Sequence, residues 1–490
     1  MNLSQRLLKS VQAGPDRTAI VDGDRVLTYG EFAALAVGCA SLVPGWTKKP
    51  RVGIVLPPSL SFAVAYFGVV HAAHTAVPIN FLLSAGELDH IIADADLDAV
   101  VTTARLAEPF KGKVAPLILI EDEMRNIRAA AASAKPADLA PSPARDDTPA
   151  TILYTSGTAA VPKGVILTHG NLVSDCDSCI EALSLDSSHV LLAMLPFFHS
   201  FGLTTGLLLP LAFGGKTVML ARFNVPELLD LVEKHRVSII LTIPSIWNAM
   251  LRTDLAVKRD LSSLRIAVSG GEPLPTQTYD RFLERFGFPL SEGYGLTETS
   301  PVVSIVPMGD RRRGSAGLAL PRVHILIRDD QGRDLPPGVE GEICIRGPNV
   351  CAGYLNLPGD TAAAIAPDGC LRTGDLGSLD KDGFLYITGR KKDLIISAGE
   401  NISPREIEET ILLHPSVAEA AVVGVPDKMR GEVVKAFIIA KPGTPPVDEA
   451  ALRDFCTGRL APFKVPRFVE FVADLPRGFT GKVLKRKLVR

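Results

Sequence analysis

Six short stretches of the 490-residue chain carry side chains able to meet a phosphate, a metal ion or a base. The first is Thr155-Ser-Gly-Thr-Ala-Ala-Val-Pro-Lys-Gly164, which follows a β-type run at 150–154. Hydroxyls (Thr155, Ser156, Thr158), a flexible Gly157 and one lysine in a turn make a phosphate cradle. N–H and O–H donors surround the oxyanion, and Lys163 supplies charge. It departs from the Gly-Lys-Ser/Thr loop, because Lys163 precedes a glycine and has no Ser or Thr beside it. In Glu292-Gly-Tyr-Gly-Leu-Thr-Glu-Thr299, the glycines admit a ligand to the backbone and Tyr294 offers a ring to a base. Thr297 and Glu298 offer oxygen ligands for Mg²⁺. Ser269-Gly-Gly-Glu-Pro273 closes an apolar strand, where open α/β sheets bind ligands. Arg372-Thr-Gly-Asp375 brings a carboxylate shaped to accept two ribose hydroxyls. Gly389-Arg-Lys-Lys-Asp393 and the late Gly481-Lys482 complete the set. Each has a plainer reading: a polar turn, a strand-to-helix turn or, for Lys482 among Lys485, Arg486, Lys487 and Arg490, a solvated basic tail.

The elements that must hold these residues read as α/β. Apolar runs at Val190–Leu195, Thr217–Leu220, Ser238–Thr242 and Arg265–Ser269 alternate with helical patterns at Pro226–His235 and Pro275–Phe286. Strands that are apolar throughout and alternate with helices predict parallel sheets covered on both faces. Residues 130–150 are rich in Ala and Pro and read as a surface connection between two such subdomains. After the turn residues Gly374, Asp375, Asp380, Asp382 and Gly383, a smaller α+β unit is expected. Its first helix has Ser403 at the cap, Pro404 in the first turn and Glu406 three residues after the cap. The boundary is drawn at Gly389, giving domains 1–389 and 390–490.

Bulk properties exclude several classes of function. The chain is too long for a single core, and 47% hydrophobic with 22% charged residues is ordinary globular composition. Its 52 basic and 54 acidic residues give no global field for nucleic acid. Seven scattered cysteines fit a reducing compartment, and Cys176 and Cys179 form one CxxC with no second pair and no His at metal spacing. No signal-peptide core interrupts the first twenty residues, which carry Arg6, Lys9, Asp16 and Arg17. The uncharged stretches 52–86 and 190–215 are broken by Pro57, Pro58, Pro196, His199 and Gly202, so buried strand followed by buried helix is expected rather than a membrane span. A soluble, cytoplasmic protein is the expectation, with a homodimer left open.

Taken in order, the six motifs resemble the adenylate-forming superfamily of acyl-CoA synthetases, peptide-synthetase adenylation domains and firefly luciferase. The resemblance runs from Leu27-Thr-Tyr29 to Lys482. It implies a large N-terminal domain of parallel-sheet subdomains and a small mobile α+β C-terminal domain. It also implies that 155–164 holds the β- and γ-phosphates of ATP, that Gly271, Glu272 and Tyr294 line the adenine site, and that Thr297 touches the α-phosphate. Glu298 would hold Mg²⁺, and Asp375 with Arg390 would grip the ribose. His199, in Pro-Phe-Phe-His-Ser-Phe-Gly202, matches the aromatic/His motif beside the acyl site. Lys392 matches the hinge position, and Lys482 the lysine bridging the substrate carboxylate and the α-phosphate.

One departure stands out. Where the family loop carries a further hydroxyl and glycine, this chain has Thr158-Ala159-Ala160. Losing a hydrogen bond to a charged group costs about 1.5–3 kcal/mol, so weaker pyrophosphate contacts are expected. The implied chemistry joins two anions, a carboxylate and a phosphate, so Mg²⁺ and Lys482 must neutralise the approach. The acyl-AMP then passes its acyl group to coenzyme A. The region of Phe198, Phe201, Leu203 and Trp247 is apolar and carries no Asp, Arg or Lys to read a second polar end. A medium- to long-chain fatty acid is therefore the expected substrate. An aromatic or alicyclic acid, or transfer to a carrier protein, is the alternative. A catalytically silent ATP- or acyl-binding protein, the non-enzyme alternative, would release no pyrophosphate when given acid and ATP.

Overall fold

Runs that the sequence marks as apolar throughout form the inner strands of parallel sheets, because strands covered on both faces have no side for polar residues. The computed structural model describes residues 1–140, 142–155, 161–252, 259–310, 312–445, 447–477 and 483–489. Ser156, Gly157, Thr158, Ala159, Ala160, Gly481 and Lys482 lie outside the described residues. The chain divides into two compact units: residues 1–325 with 345–371, and residues 326–344 with 372–490.

The first unit contains two sheets. One runs, strand by strand, Leu318–Ala319, Val302–Ile305, Ser291–Gly295, Ile266–Ser269, Ile239–Thr242, Val190–Ala193, Lys216–Met219, Thr18–Asp22 and Arg25–Thr28. Its centre is parallel, with Thr242 opposite Ser269 and Ser269 opposite Glu292. Strand Val190–Ala193 lies between its successor in the chain, Lys216–Met219, on one side and Ile239–Thr242 on the other. The order of connection therefore reverses there, and the crevice outside the carboxyl ends of strands at such a switch point is where open α/β sheets take ligands. The second sheet runs Gly353–Tyr354, Lys163–Thr168, Pro149–Thr155, Thr75–Pro78, Arg51–Val55, Val100–Thr102 and Leu117–Leu119.

Local chemistry explains the helices. In Val225–His235 the Asn224 side chain accepts the Glu227 N–H, and Pro226 sits in the first turn. The helix buries Leu228, Leu229 and Val232 on one face and stops at Arg236 in a left-handed conformation. Helix Thr276–Phe286 buries Thr278, Tyr279 and Phe282 in the same way. Between the two, Trp247 is fully buried: its indole meets Phe282 edge-on at 5.1 Å and donates Nε1–H to the Val268 carbonyl at 3.3 Å. Trp247, read from sequence as an acyl-pocket residue, lies in the core of the sheet-and-helix layer. The stretch 190–215 is strand Val190–Ala193 followed by short helical segments through Phe213. Among the described residues no helix is long and apolar enough to cross a membrane.

In the second unit, strands Glu400–Ile402, Ile395–Ser397, Gly431–Ala440 and Val417–Asp427 form a sheet, with Phe468–Phe471 paired in parallel to Gly431–Ala440. A further sheet joins His324–Arg328, Gly341–Arg346, Leu371–Leu379 and Leu385–Arg390. Contacts part the units after Leu371, ahead of Gly389, because Leu385–Arg390 is hydrogen-bonded to Leu371–Leu379 with Arg390 opposite Asp375. Helix Pro404–Leu412 begins where expected, but without the expected cap. The Ser403 hydroxyl donates to the Thr388 carbonyl at 2.6 Å, and Glu406 accepts from Lys464 at 2.7 Å.

Candidate active site

Three of the motifs meet at the carboxyl ends of parallel strands in one sheet. Strand Val190–Ala193 leads into His199 and Phe201, Ile266–Ser269 into Gly271 and Glu272, and Ser291–Gly295 into Thr297 and Glu298. The loops touch. The Ser200 and Thr297 hydroxyls share a hydrogen bond of 3.2 Å, and a Cβ on Gly270 would stand 3.4 Å from the Phe201 ring. Gly271 turns in the left-handed region, with φ of +79°. A Cβ on Gly295 would collide with the Pro301 carbonyl oxygen, so the close approach that this glycine permits is by its own chain. Asn349, buried, clamps the returning loop by donating Nδ2–H to the carbonyls of Thr299 and Val302 at 3.1 and 3.0 Å.

Several polar atoms at these strand ends are sealed from solvent. Among the described residues, His199 Nε2, Thr242 Oγ1 and Ser269 Oγ have no hydrogen-bond partner. Burial pushes the His199 imidazole down to about 4, so it is neutral at physiological pH. Buried polar atoms without partners are rare in proteins and ask for an explanation.

Glu298 stands on the short 3₁₀ turn Thr297–Thr299. Its backbone carbonyl accepts the Cys351 N–H at 2.8 Å, and its Oε1 accepts the Tyr354 hydroxyl at 2.9 Å. Tyr354 in turn faces Lys163, whose Nζ lies 5.4 Å from the ring centroid. Lys163 is paired with Asp360 at 2.9 Å. Burial, reinforced by the Glu298 carboxylate, holds the Tyr354 hydroxyl well above the usual tyrosine range, so it remains a donor. Strand Gly353–Tyr354 is antiparallel to Lys163–Thr168, with Tyr354 opposite Val165, and this pairing presents the ring to the lysine. Thr155 and Lys163 face each other across the hairpin that the cradle residues close. Within the second unit, Asp375 is buried and its Oδ1 meets Arg390 Nε at 2.7 Å. Lys392 lies on the exposed 3₁₀ turn Lys391–Asp393.

The family model for AMP-binding enzymes matches residues 7–355, and that for the AMP-binding enzyme C-terminal domain matches residues 406–482. This chain is an AMP-binding enzyme. A long-chain-fatty-acid–CoA ligase of Bacillus subtilis (strain 168) is 34% identical over 528 residues, covering 99% of this chain and 94% of that protein. A feruloyl-CoA synthase of an Amycolatopsis species is 34% identical over 487 residues, covering 99% and 97%. ATP-bound MatB from Rhodopseudomonas palustris superposes with a TM-score of 0.90 at 32% identity, covering 100% of this chain and 98% of that one. This AMP-binding enzyme therefore has the adenylate-forming fold and is by class an AMP-forming acid–thiol ligase.

Of the residues singled out from sequence, the fold of this AMP-binding enzyme gathers His199, Phe201, Gly271, Glu272, Tyr294, Thr297 and Glu298 at one set of strand ends, and joins Lys163 to Glu298 through one intermediary. Asp375 and Arg390 meet each other. Cys176 and Cys179 are buried free thiols, and among the described residues no three His, Cys, Asp or Glu side chains converge as a metal site. Sequence reasoning passed over Tyr354, Asp360 and Asn349. The available signal was Gly353-Tyr-Leu-Asn-Leu-Pro-Gly-Asp360, a strand end running into a proline-started helix.

Proposed function

We propose that this AMP-binding enzyme activates a medium- to long-chain fatty acid with ATP and transfers the acyl group to coenzyme A. The observation that carries the reading is the convergence of His199, Gly271, Glu272, Tyr294, Thr297 and Glu298 at one switch point, with Lys163 linked to Glu298 through Tyr354. The similarity to a fatty-acid–CoA ligase over almost the whole chain supports the choice of acid, as does the apolar wall offered by Phe198 and Phe201.

On this reading Thr155, Lys163 and the cradle residues Ser156, Gly157 and Thr158 receive the terminal phosphates of ATP. Gly271, Glu272 and Tyr294 flank the adenine, and Asp375 with Arg390 takes the ribose. Thr297 donates to the α-phosphate. Mg²⁺ fits the donors present, because it takes one or two carboxylates and completes its shell with phosphates and water rather than a protein cage. Glu298 would hold it, and the ion would neutralise phosphate charge. Lys482 supplies the second cation where the substrate carboxylate meets the α-phosphate, and the pyrophosphate leaves into the 155–164 cradle. For thioester formation, residues 390–490 turn about Lys392 and withdraw Lys482, a hinge motion.

A second reading, an aromatic acid, is favoured by the unpartnered His199 Nε2, Thr242 Oγ1 and Ser269 Oγ, since a ring hydroxyl or methoxyl would satisfy groups that an alkyl chain leaves orphaned. Similarity to a feruloyl-CoA synthase points the same way. The test is a panel of fatty acids of graded length and hydroxycinnamic acids, each with ATP and coenzyme A, read as AMP formation. Highest kcat/KM on the fatty acids supports the first reading, and highest on the cinnamic acids replaces it with the second. Failure of every acid to release pyrophosphate overturns both. In the same assay Lys482→Ala is expected to abolish acyl-AMP formation while sparing thioester formation from supplied acyl-AMP. Equal loss of both half-reactions would make the lysine structural.

A further inference from the structure

Tyr354 touches both Glu298 and Lys163, the groups proposed to meet the metal and the phosphates. Its hydroxyl donates to Glu298 Oε1 at 2.9 Å, and its ring lies 5.4 Å from Lys163 Nζ. The three side chains come from three separate segments: a 3₁₀ turn, the short strand Gly353–Tyr354 and the strand Lys163–Thr168. Backbone bonds hold the segments in register. Cys351 N–H reaches the Glu298 carbonyl and Leu355 N–H the Gly164 carbonyl, both at 2.8 Å. The tyrosine is thereby fixed from both sides, and each of its two contacts is directional.

We propose that Tyr354 is a positioning residue for the adenylation step, its hydroxyl orienting the Glu298 carboxylate and its ring holding Lys163 at the phosphate cradle. Carboxylates that bind metal are commonly oriented by a hydrogen bond to the oxygen that does not face the ion. Among the described residues, Tyr354 is the donor that the Glu298 side chain has. Holding a long lysine side chain against an aromatic face restricts its rotamers and keeps its charge over a negative ring face. One residue thus sets the spacing between the cation that meets the γ-phosphate end and the carboxylate that meets the metal. The proposal rests on the reading of Glu298 as a magnesium carboxylate and of Lys163 as a phosphate cation.

The experiment titrates ATP binding by calorimetry on the full chain, with and without Mg²⁺, alongside the two half-reactions. Tyr354→Phe keeps the ring and removes the hydroxyl. It is expected to weaken the Mg²⁺-dependent part of ATP binding by about tenfold, leaving metal-free ATP binding and thioester formation from supplied acyl-AMP as in the wild type. Tyr354→Leu is expected to weaken metal-free ATP binding as well, because Lys163 then loses its platform. In the double variant with Glu298→Gln, the Phe substitution should add nothing. If Glu298→Gln abolishes the magnesium dependence while Tyr354→Phe matches the wild type, the tyrosine proposal is overturned and the site reading stands. If Glu298→Gln leaves the magnesium dependence intact, the site reading fails and the proposal falls with it.

Discussion

Two polar regions of the first unit lie in different surroundings and behave as opposites. Helix His169–Leu183 carries His169 and Asp175 fully inside the protein. The cluster of Glu298, Tyr354, Lys163 and Asp360 is only half-buried. His169 and Asp175 have exchanged charge for burial, unlike Asp177 and Glu181 on the outer face of the same helix, which pair with Arg6 and Arg322. Desolvation pushes the His169 imidazole down to about 4, so it is neutral at physiological pH, and raises the Asp175 carboxyl well above the usual carboxylate range. Each keeps one backbone bond: His169 Nδ1 accepts from Leu3 N–H at 3.2 Å, and Asp175 Oδ1 from Val302 N–H at 3.1 Å. At the rim the side chains stay half-exposed and are linked to one another, Glu298 accepting from Tyr354 and Lys163 pairing with Asp360. The lesson is that a polar side chain deep in this fold supports a neighbouring segment, whereas ionic chemistry belongs to the half-buried rim. Asp175, bonded just beyond the Thr297–Thr299 turn, supports the site from behind without entering it.

The largest expected effect tests the rim. Glu298→Gln preserves shape and can still accept from Tyr354, but removes the charge. Acyl-AMP formation should fall on the order of 10²-fold or more, with stability changed by less than about 1 kcal/mol. Urea unfolding measured beside the half-reaction decides it, and a variant that unfolds would move Glu298 into the same class as Asp175.

A middle-sized effect tests the helix. The folded pKa of His169 lies below its unfolded value of about 6.5, so the unfolded chain binds the extra proton first. The stability that His169 contributes is complete above pH 6.5 and is lost as pH falls towards 4. The loss is on the order of 3 kcal/mol once both states are compared below the folded pKa. Urea midpoints from pH 7.5 to 4.5 should decline for the wild type and decline less for His169→Gln. Parallel curves would show that the ring is not sealed.

The smallest effect has the opposite sign. Asp175 has a raised folded pKa, so its burden on stability is absent below the unfolded pKa of about 4 and grows as pH rises above it. Asp175→Asn keeps the acceptor for Val302 N–H and needs no proton. It should be slightly more stable than the wild type at pH 8 and equal to it near pH 4. A variant less stable at pH 8 would mean that the carboxylate is charged and paired after all.

Much of this was legible because the informative patterns are local. Strand and helix positions at Ile239–Thr242, Ile266–Ser269, Val225–His235 and Thr276–Phe286 fall within a residue or so of the runs read from sequence, since apolar continuity and an Asn-x-Pro start are decided within a few residues. The motif residues at the strand ends were legible for the same reason. What escaped depends on distance along the chain. Tyr354 reaches Glu298 across 56 residues, and a lone tyrosine after a glycine carries no mark of that contact. Trp247 shows a second limit, because an aromatic residue on an apolar helix face has the same pattern in a core as at a pocket wall. Ser403 shows a third limit: its hydroxyl had two acceptable bonds, and the long-range one to Thr388 prevailed over the cap.

The ion pair between Lys163 and Asp360 has a consequence for how the cradle discriminates among anions. A lysine already facing a carboxylate behaves as though lightly occupied, and any incoming anion must compete with that internal rival before gaining anything. A monovalent or weakly charged ion exchanges one partner for a like one at little net advantage. On the proposed reading, a polyphosphate presenting several charges, with its own counter-ion at Glu298, would win the contest and release Asp360. With Lys163 as a phosphate cation, Asp360 on the helix Pro358–Ala364 would thus set a threshold against chloride, acetate and orthophosphate at the cradle.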